Sequence, residues 1–211
     1  MGRSFAQIAF TPLVKEEQAR HGSRSQYERM EKSGEPGNTL TQYEREFIGS
    51  RDSFYLATVS ETGWPYMQHR GGEPGFLRVL DDHTLGFADY RGNRQYISLG
   101  NLDHDDRVAL FLMDYPSRTR LKILGHAAVH EGEGAQKFLS ELSTPQERKL
   151  MERAIVIKIE AFDWNCQQFI TPRYTEEQIV KVMAPLRQRL SDLEEENRRL
   201  KDEVTSLSAT K

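Results

Sequence analysis

Cysteine is nearly missing from this chain of 211 residues. Cys166 stands alone, which excludes an internal disulfide and leaves no cysteine-based zinc motif. Long hydrophobic runs are missing as well. No stretch approaches the ~18 apolar residues that a membrane-spanning helix needs, and the N-terminus lacks the apolar run of a secretion signal. Neither sign of charge dominates. Lys and Arg total 29 against 32 Asp and Glu, a net of −3, so the broad electrostatic footprint of a nucleic-acid-binding domain is absent. There is no internal repeat and no low-complexity tract. What is present, 37% hydrophobic and 29% charged residues, suffices for one cored domain with polar, solvated extensions. A soluble cytoplasmic protein is the expectation.

Three segments follow from the pattern. Residues 1–50 read as a polar helical extension. Thr11 and Pro12 form an N-cap and first turn, and Gly22 is a natural stop. A second short helix runs from Ser25 to Lys32. Thr41-Gln-Tyr-Glu44 is a capping box opening a third, through about Gly49. Their few apolar residues imply that they wrap the surface of something else. Residues 51–174 form the body. Phe54–Val59 and Tyr66–Arg70 flank the turn Glu61-Thr-Gly-Trp-Pro65. Phe76–Leu80 and Thr84–Ala88 flank Asp81-Asp-His83. Arg107–Met113 is a nearly continuous apolar strand expected to be buried on both faces, Arg120–His130 alternates, and Ala154–Ile159 is the last strong strand. Gly134–Leu142 and Pro145–Arg153 read as helical. About seven strands in hairpin order favour a closed or split antiparallel barrel, a mainly β fold with peripheral helices.

Within the body, Thr84-Leu-Gly-Phe-Ala-Asp-Tyr-Arg-Gly-Asn-Arg-Gln-Tyr-Ile-Ser-Leu99 reads as strand, polar turn and short helix. Gly92 permits a positive φ. Asn93, Arg94 and Gln95 fall where the first amides of a helix are unpaired and carry partial positive charge. Two guanidinium groups and a carboxamide there make either a phosphate cradle or a solvated polar turn.

Residues 175–211 carry a heptad seam. Leu186, Leu193, Leu200 and Leu207 occupy d, and Leu190, Asn197 and Val204 occupy a, with Ile179 and Met183 continuing it upstream. An Asn at a favours a parallel two-stranded pairing, in which Arg189 at g faces Glu194 at e and Glu196 faces Lys201. The alternative is a single amphipathic helix packed on its own barrel. The preceding segment, Thr175–Ala184, is not basic, so this is no basic-zipper DNA-binding helix but a dimerisation device.

Three stretches together resemble the pyridoxamine phosphate oxidase-like, FMN-binding split-barrel proteins: Asp52 to Gly72, Thr84 to Gln95, and Asp106 through Leu124-Gly125. With the segment Asp163-Trp-Asn-Cys-Gln-Gln-Phe-Ile-Thr-Pro-Arg173, the resemblance is to the predicted flavin-nucleotide-binding branch. It implies a homodimer of split barrels with an FMN in each of two interface clefts. Met67, Gln68, His69 and Arg70 would pass the flavin ring and ribityl chain. Tyr90, Asn93, Arg94 and Gln95 would hold the phosphate. Arg118 and Arg120, and Trp164, Asn165 and Gln167, would come from the partner, Trp164 as a core or interface anchor rather than a flavin stacker. The resemblance implies an oxidoreductase acting on a small-molecule substrate, with Gln68, Arg70 and Arg120 tuning the flavin. It assigns no catalytic base and no metal. His126 and His130 have no third ligand. The chain departs from the true oxidases: it ends in Pro172-Arg-Tyr174 and the heptads instead of a basic, tryptophan-containing segment, and Gln68-His-Arg-Gly-Gly72 replaces the usual flavin strand. These departures argue against vitamin B6 oxidation while leaving flavin binding. The alternatives are a non-enzymatic flavin carrier or redox sensor with an interaction tail, and a barrel binding deazaflavin or haem.

Overall fold

The computed structural model describes residues 2–144, 147–164 and 167–209. It comprises two compact units, Met1–Phe169 and Ile170–Lys211. The first unit begins with helices α1 (Arg3–Ala9), α2 (Pro12–Arg20), α3 (Arg24–Ser33) and α4 (Gln42–Gly49). Strands β1 (Ser53–Val59), β2 (Pro65–Gly71), β3 (Arg78–Asp81) and β4 (Thr84–Tyr90) follow. Then come α5 (Ile97–His104), β5 (Arg107–Asp114), β6 (Thr119–Glu131), α6 (Gly132–Leu142), a 3-10 turn (Glu147–Leu150) and β7 (Met151–Trp164). The second unit is the helix α7 (Glu176–Ala209). No helix among the described residues is long and apolar enough to cross a membrane.

Seven antiparallel strands form one sheet in the order β2-β1-β5-β6-β7-β4-β3, the split-barrel arrangement that the hairpin order implies. Period-two alternation puts Phe54 and Leu56 of β1, Val108, Leu110 and Leu112 of β5, and Leu121 and Ile123 of β6 into one core with Phe87, Ile155, Ile157 and Leu40. β2 and β3 end the hydrogen-bonded order. Side chains instead draw the two ends together: Phe54 of β1 meets Phe87 of β4 edge-on at 5.3 Å between centroids, and Arg70 of β2 reaches Asp89 of β4.

Two strand expectations are corrected. β5 is buried on one face only, with Ala109 and Phe111 half-exposed. β4 is instead buried on both faces, as are residues Arg153–Ile157 of β7, because α6 lays Ala135, Leu139 and Leu142 over Ala88 and Ala154. The segment from Met151 to Arg153, expected to be helical, belongs to β7, where the ladder with β4 sets Arg153 opposite Asp89 and so overrides its local helical pattern.

The N-terminal helices contribute to the core. Phe5, Ala6 and Phe10 are buried, as is Ile48 of α4. The Thr41–Glu44 capping box forms as the sequence implies. Glu44 is buried and also accepts a hydrogen bond from Trp164 Nε1 at 2.9 Å. Burial pushes its carboxyl up, but the bonds from Thr41 and Trp164 outweigh it and hold the group below the ordinary glutamate range. Gly125 sits at a register shift between β6 and β7, where a Cβ would lie 2.2 Å from the Lys158 carbonyl oxygen.

Gly125→Ala should therefore force the backbones apart and lower stability by roughly 1–3 kcal/mol or more, read as a lower urea midpoint. Glu44 gives a pH signature. A carboxyl with a depressed folded-state pKa contributes stability above its unfolded value, and that contribution disappears as pH falls through the folded one. The difference in urea midpoint between the native chain and Glu44→Gln should be largest near about pH 7 and shrink below about pH 4.

Candidate functional site

A cleft of about 250 Å³ opens where the two ends of the sheet approach each other. Tyr66, Gln68 and Arg70 of β2 form one wall, the turn from Tyr90 to Tyr96 forms the other, and Asp89, Arg153 and the start of α5 close the floor. The sheet period decides which β2 residues reach it. Tyr66, Gln68 and Arg70 point inward, whereas Met67 and His69 lie on the outer face, His69 against the Tyr55 ring. The Tyr66 hydroxyl donates to Gln68 Oε1, which orients the carboxamide.

The floor is an ionic bridge. Asp89 Oδ1 accepts from Arg70 Nη1 at 2.6 Å, and Asp89 Oδ2 lies 3.4 Å from Arg153 Nη1. Asp89 and Arg153 are both buried. Burial pushes the Asp89 carboxyl above its ordinary range against the downward pull of the two guanidiniums. Arg153 also meets Glu131 at 3.0 Å and Glu152 at 2.5 Å, and its guanidinium lies 5.1 Å from the Tyr96 ring centroid. Arg70 keeps its Nε buried with no hydrogen-bond partner, a donor held beside the cleft.

The turn has an unusual backbone. Gly92, Arg94 and Tyr96 have φ of 52°, 62° and 54°, while Asn93 and Gln95 between them do not share this conformation. Left-handed residues in a turn are one of the settings in which successive N–H groups can curl toward one side into an anion-binding concavity. Asn93 Oδ1 accepts from the Gln95 amide at 3.2 Å and fixes the turn. α5 begins one residue later than its pattern implies, at Ile97, because Tyr96 is left-handed and cannot be a helical residue. Arg91 is engaged by Glu152 at 2.7 Å, and its guanidinium holds that carboxyl below the usual range. Arg94 forms no ion pair among the described residues.

The cleft thus gathers Gln68, Arg70, Tyr90, Asn93, Arg94 and Gln95 from the sequence-predicted set. It does not gather Met67, His69, Arg118, Arg120, Trp164 or Gln167. Arg118, with φ 56°, and Arg120, whose guanidinium lies 5.5 Å from the Phe111 ring, are on the β5–β6 hairpin. Gln167 is exposed just past β7, and Asn165, like Cys166, lies outside the described residues. Trp164 is held within the same chain, packed at 4.9 and 4.8 Å on Tyr43 and Phe47 with its N–H satisfied by Glu44, as an anchor would be. Sequence reasoning missed Tyr66, Asp89 and Arg153. The one available signal was a charge inside an apolar strand, Asp89 after Phe87-Ala88 and Arg153 before Ala154-Ile155.

Chemically the cleft can bind an anion but offers little acid–base machinery. No His, Cys or Lys lines it, and its one carboxylate, Asp89, is committed to two guanidiniums. No cluster among the described residues could hold a metal ion. Asp89→Ala should leave Arg70 without its ion-pair partner and Arg153 with only Glu131 and Glu152, and cost up to about 3 kcal/mol, measured by urea unfolding.

The pyridoxamine 5'-phosphate oxidase family model matches residues 40–166, more than half of the chain, and spans both cleft walls. No curated protein matches. Among solved structures, a putative pyridoxamine 5'-phosphate oxidase from Lactobacillus delbrueckii is 27% identical, covering 60% of this chain and 94% of that one at a TM-score of 0.47. The HupZ protein of Group A Streptococcus is 17% identical, covering 64% and 99% at 0.46. An FMN-binding protein from Syntrophomonas wolfei is 14% identical, covering 58% and 83% at 0.42. With its seven-stranded split barrel and a match across the whole barrel, the chain belongs to the pyridoxamine 5'-phosphate oxidase family.

Proposed function

We propose that the protein is an FMN-binding homodimer acting as a flavin-dependent oxidoreductase on a small molecule. The observation that carries this reading is the left-handed backbone at Gly92, Arg94 and Tyr96 in one cleft wall, where Arg94 forms no ion pair among the described residues. An array of amides with a guanidinium suits a phosphate monoester. The buried, unpartnered Nε of Arg70 suits an acceptor on the same ligand. FMN supplies, when bound, the hydride and electron transfer that none of the lining side chains can perform. In this reading Asn93, Arg94 and Gln95 grip the phosphate, Tyr90 flanks it, and Gln68 and Arg70 meet the remainder of the nucleotide.

The size of the cleft supports the dimer. About 250 Å³ in one protomer falls short of the ~300–1,000 Å³ of a pocket that encloses a ligand of this class. A second copy supplies the missing wall, and Arg118, Arg120 and Gln167, all outside the protomer's own cleft, are the residues it would bring. The departures from the true oxidases after Pro172 and at Gln68–Gly72 favour a substrate other than a B6 vitamer. A flavin carrier or redox sensor is the second reading, favoured by the exposed apolar stripe of α7. Flavin reduction that is slow and indifferent to added small molecules would select it.

The visible absorption spectrum of the purified protein, with the mass of the released ligand, tests the assignment. Flavin bands and the mass of FMN are expected. A deazaflavin or haem, or a colourless protein that takes up no FMN, would overturn it. Arg94→Gly keeps a residue suited to positive φ and removes only the guanidinium, so FMN affinity should fall roughly 10- to 100-fold with the fold intact. Unchanged affinity would remove Arg94 from the phosphate site.

A further inference from the structure

α7 is a continuous helix of 34 residues, about 51 Å long. It starts on a reciprocal cap: the Gln178 amide donates to Thr175 Oγ1 at 3.2 Å, and the Thr175 amide donates to Gln178 Oε1 at 2.9 Å. Its apolar heptad residues, from Ile179 through Leu207, form one solvent-exposed stripe and are each between 38% and 65% exposed. A stripe of this length on a helix that is otherwise polar is a surface built to be covered.

The residues around the stripe say what covers it. Asn197 interrupts the apolar series at an a position. In a parallel, in-register pair, a faces a, so the Asn197 carboxamide meets its own copy and the two amides bond to each other. Against any apolar partner, or in an antiparallel pair where a faces d, the same amide is buried beside leucine without a partner. The flanking charges make the same choice. Parallel pairing sets Arg189 at g against Glu194 at e of the other helix, and Glu196 at g against Lys201 at e, so both pairs are opposite in sign and each occurs twice by symmetry. Pro185 costs the helix one backbone bond, but it occupies c, on the outer side of the helix and clear of the seam. We infer that α7 is the interaction surface for a second copy of this chain, forming a parallel, in-register, two-stranded coiled coil locked by an Asn197–Asn197 pair.

Cross-linking in the full-length chain tests this independently of whether the barrels dimerise or bind flavin. In a Cys166→Ser background, Leu200→Cys puts a thiol at d and Asp202→Cys puts one at f. Under mild oxidation Leu200→Cys should form an interchain disulfide at least ~10-fold faster than Asp202→Cys, read on a non-reducing gel. Equal rates, or no disulfide from either, would overturn the coiled coil. An antiparallel pair that sets a against d along the seam places Leu200 near Leu190 of the other copy, so Leu200→Cys would then link only when mixed with Leu190→Cys, which overturns the parallel register. Adding Glu196→Lys to Leu200→Cys should slow its cross-linking, because two ammonium groups then oppose each other across the g–e contact. Adding Lys201→Glu as well should restore it. Failure of that rescue, with far-UV circular dichroism unchanged, would also sink the pairing.

Discussion

The bridge from Arg70 through Asp89 to Arg153 is the contact on which the cleft depends. The sheet has two free ends, and no ladder of backbone hydrogen bonds joins β2 to β4. Asp89 joins them with one carboxylate. It binds a guanidinium from an edge strand on one side and from a central strand on the other. Burial makes an isolated charge costly here, so the buried Asp89 requires the guanidiniums that flank it. The bridge also fixes orientation. With Arg70 turned inward to Asp89, the pleat must turn Gln68 and Tyr66 inward and Met67 and His69 outward.

This constraint explains how much could be read from the chain beforehand. The strands and their hairpin order were legible in the alternation of β1 and β6 and in turns such as Glu61-Thr-Gly-Trp-Pro65. The long C-terminal helix was legible in the heptads, and the Thr41 capping box in its spacing. β7 was only half legible: Met151-Glu-Arg153 carries polar residues at a helical rhythm, and only its ladder with Ala88, Asp89 and Tyr90 makes it a strand. The burial of β4 on both faces was hidden for a similar reason, since α6, which covers it, comes two strands later in the chain.

The site shows the same division. The turn around Gly92 and Arg94 announced itself because its chemistry is local. Asp89 and Arg153 lie 64 positions apart and have meaning only together. Period-two reasoning alone places Met67 and His69 on the face of β2 opposite Gln68 and Arg70. Trp164 illustrates the opposite case, an aromatic whose partners Tyr43, Glu44 and Phe47 lie on a helix far upstream, so no local pattern could reveal its role.

The position of the two walls in the sheet has a mechanical consequence. β7 lies deep in the strand order, paired along most of its length with β6 and β4, and it carries the cleft floor through Arg153. β2 is terminal and pairs with β1 alone. Local opening in a protein begins at elements with the fewest neighbours. The floor therefore belongs to the last part of the barrel to exchange its amide hydrogens, and the β2 wall to one of the first. Opening of the cleft can then draw on fraying of a single edge strand, with Arg70 as its clasp, while the turn from Tyr90 to Tyr96 stays anchored to the slow-exchanging interior.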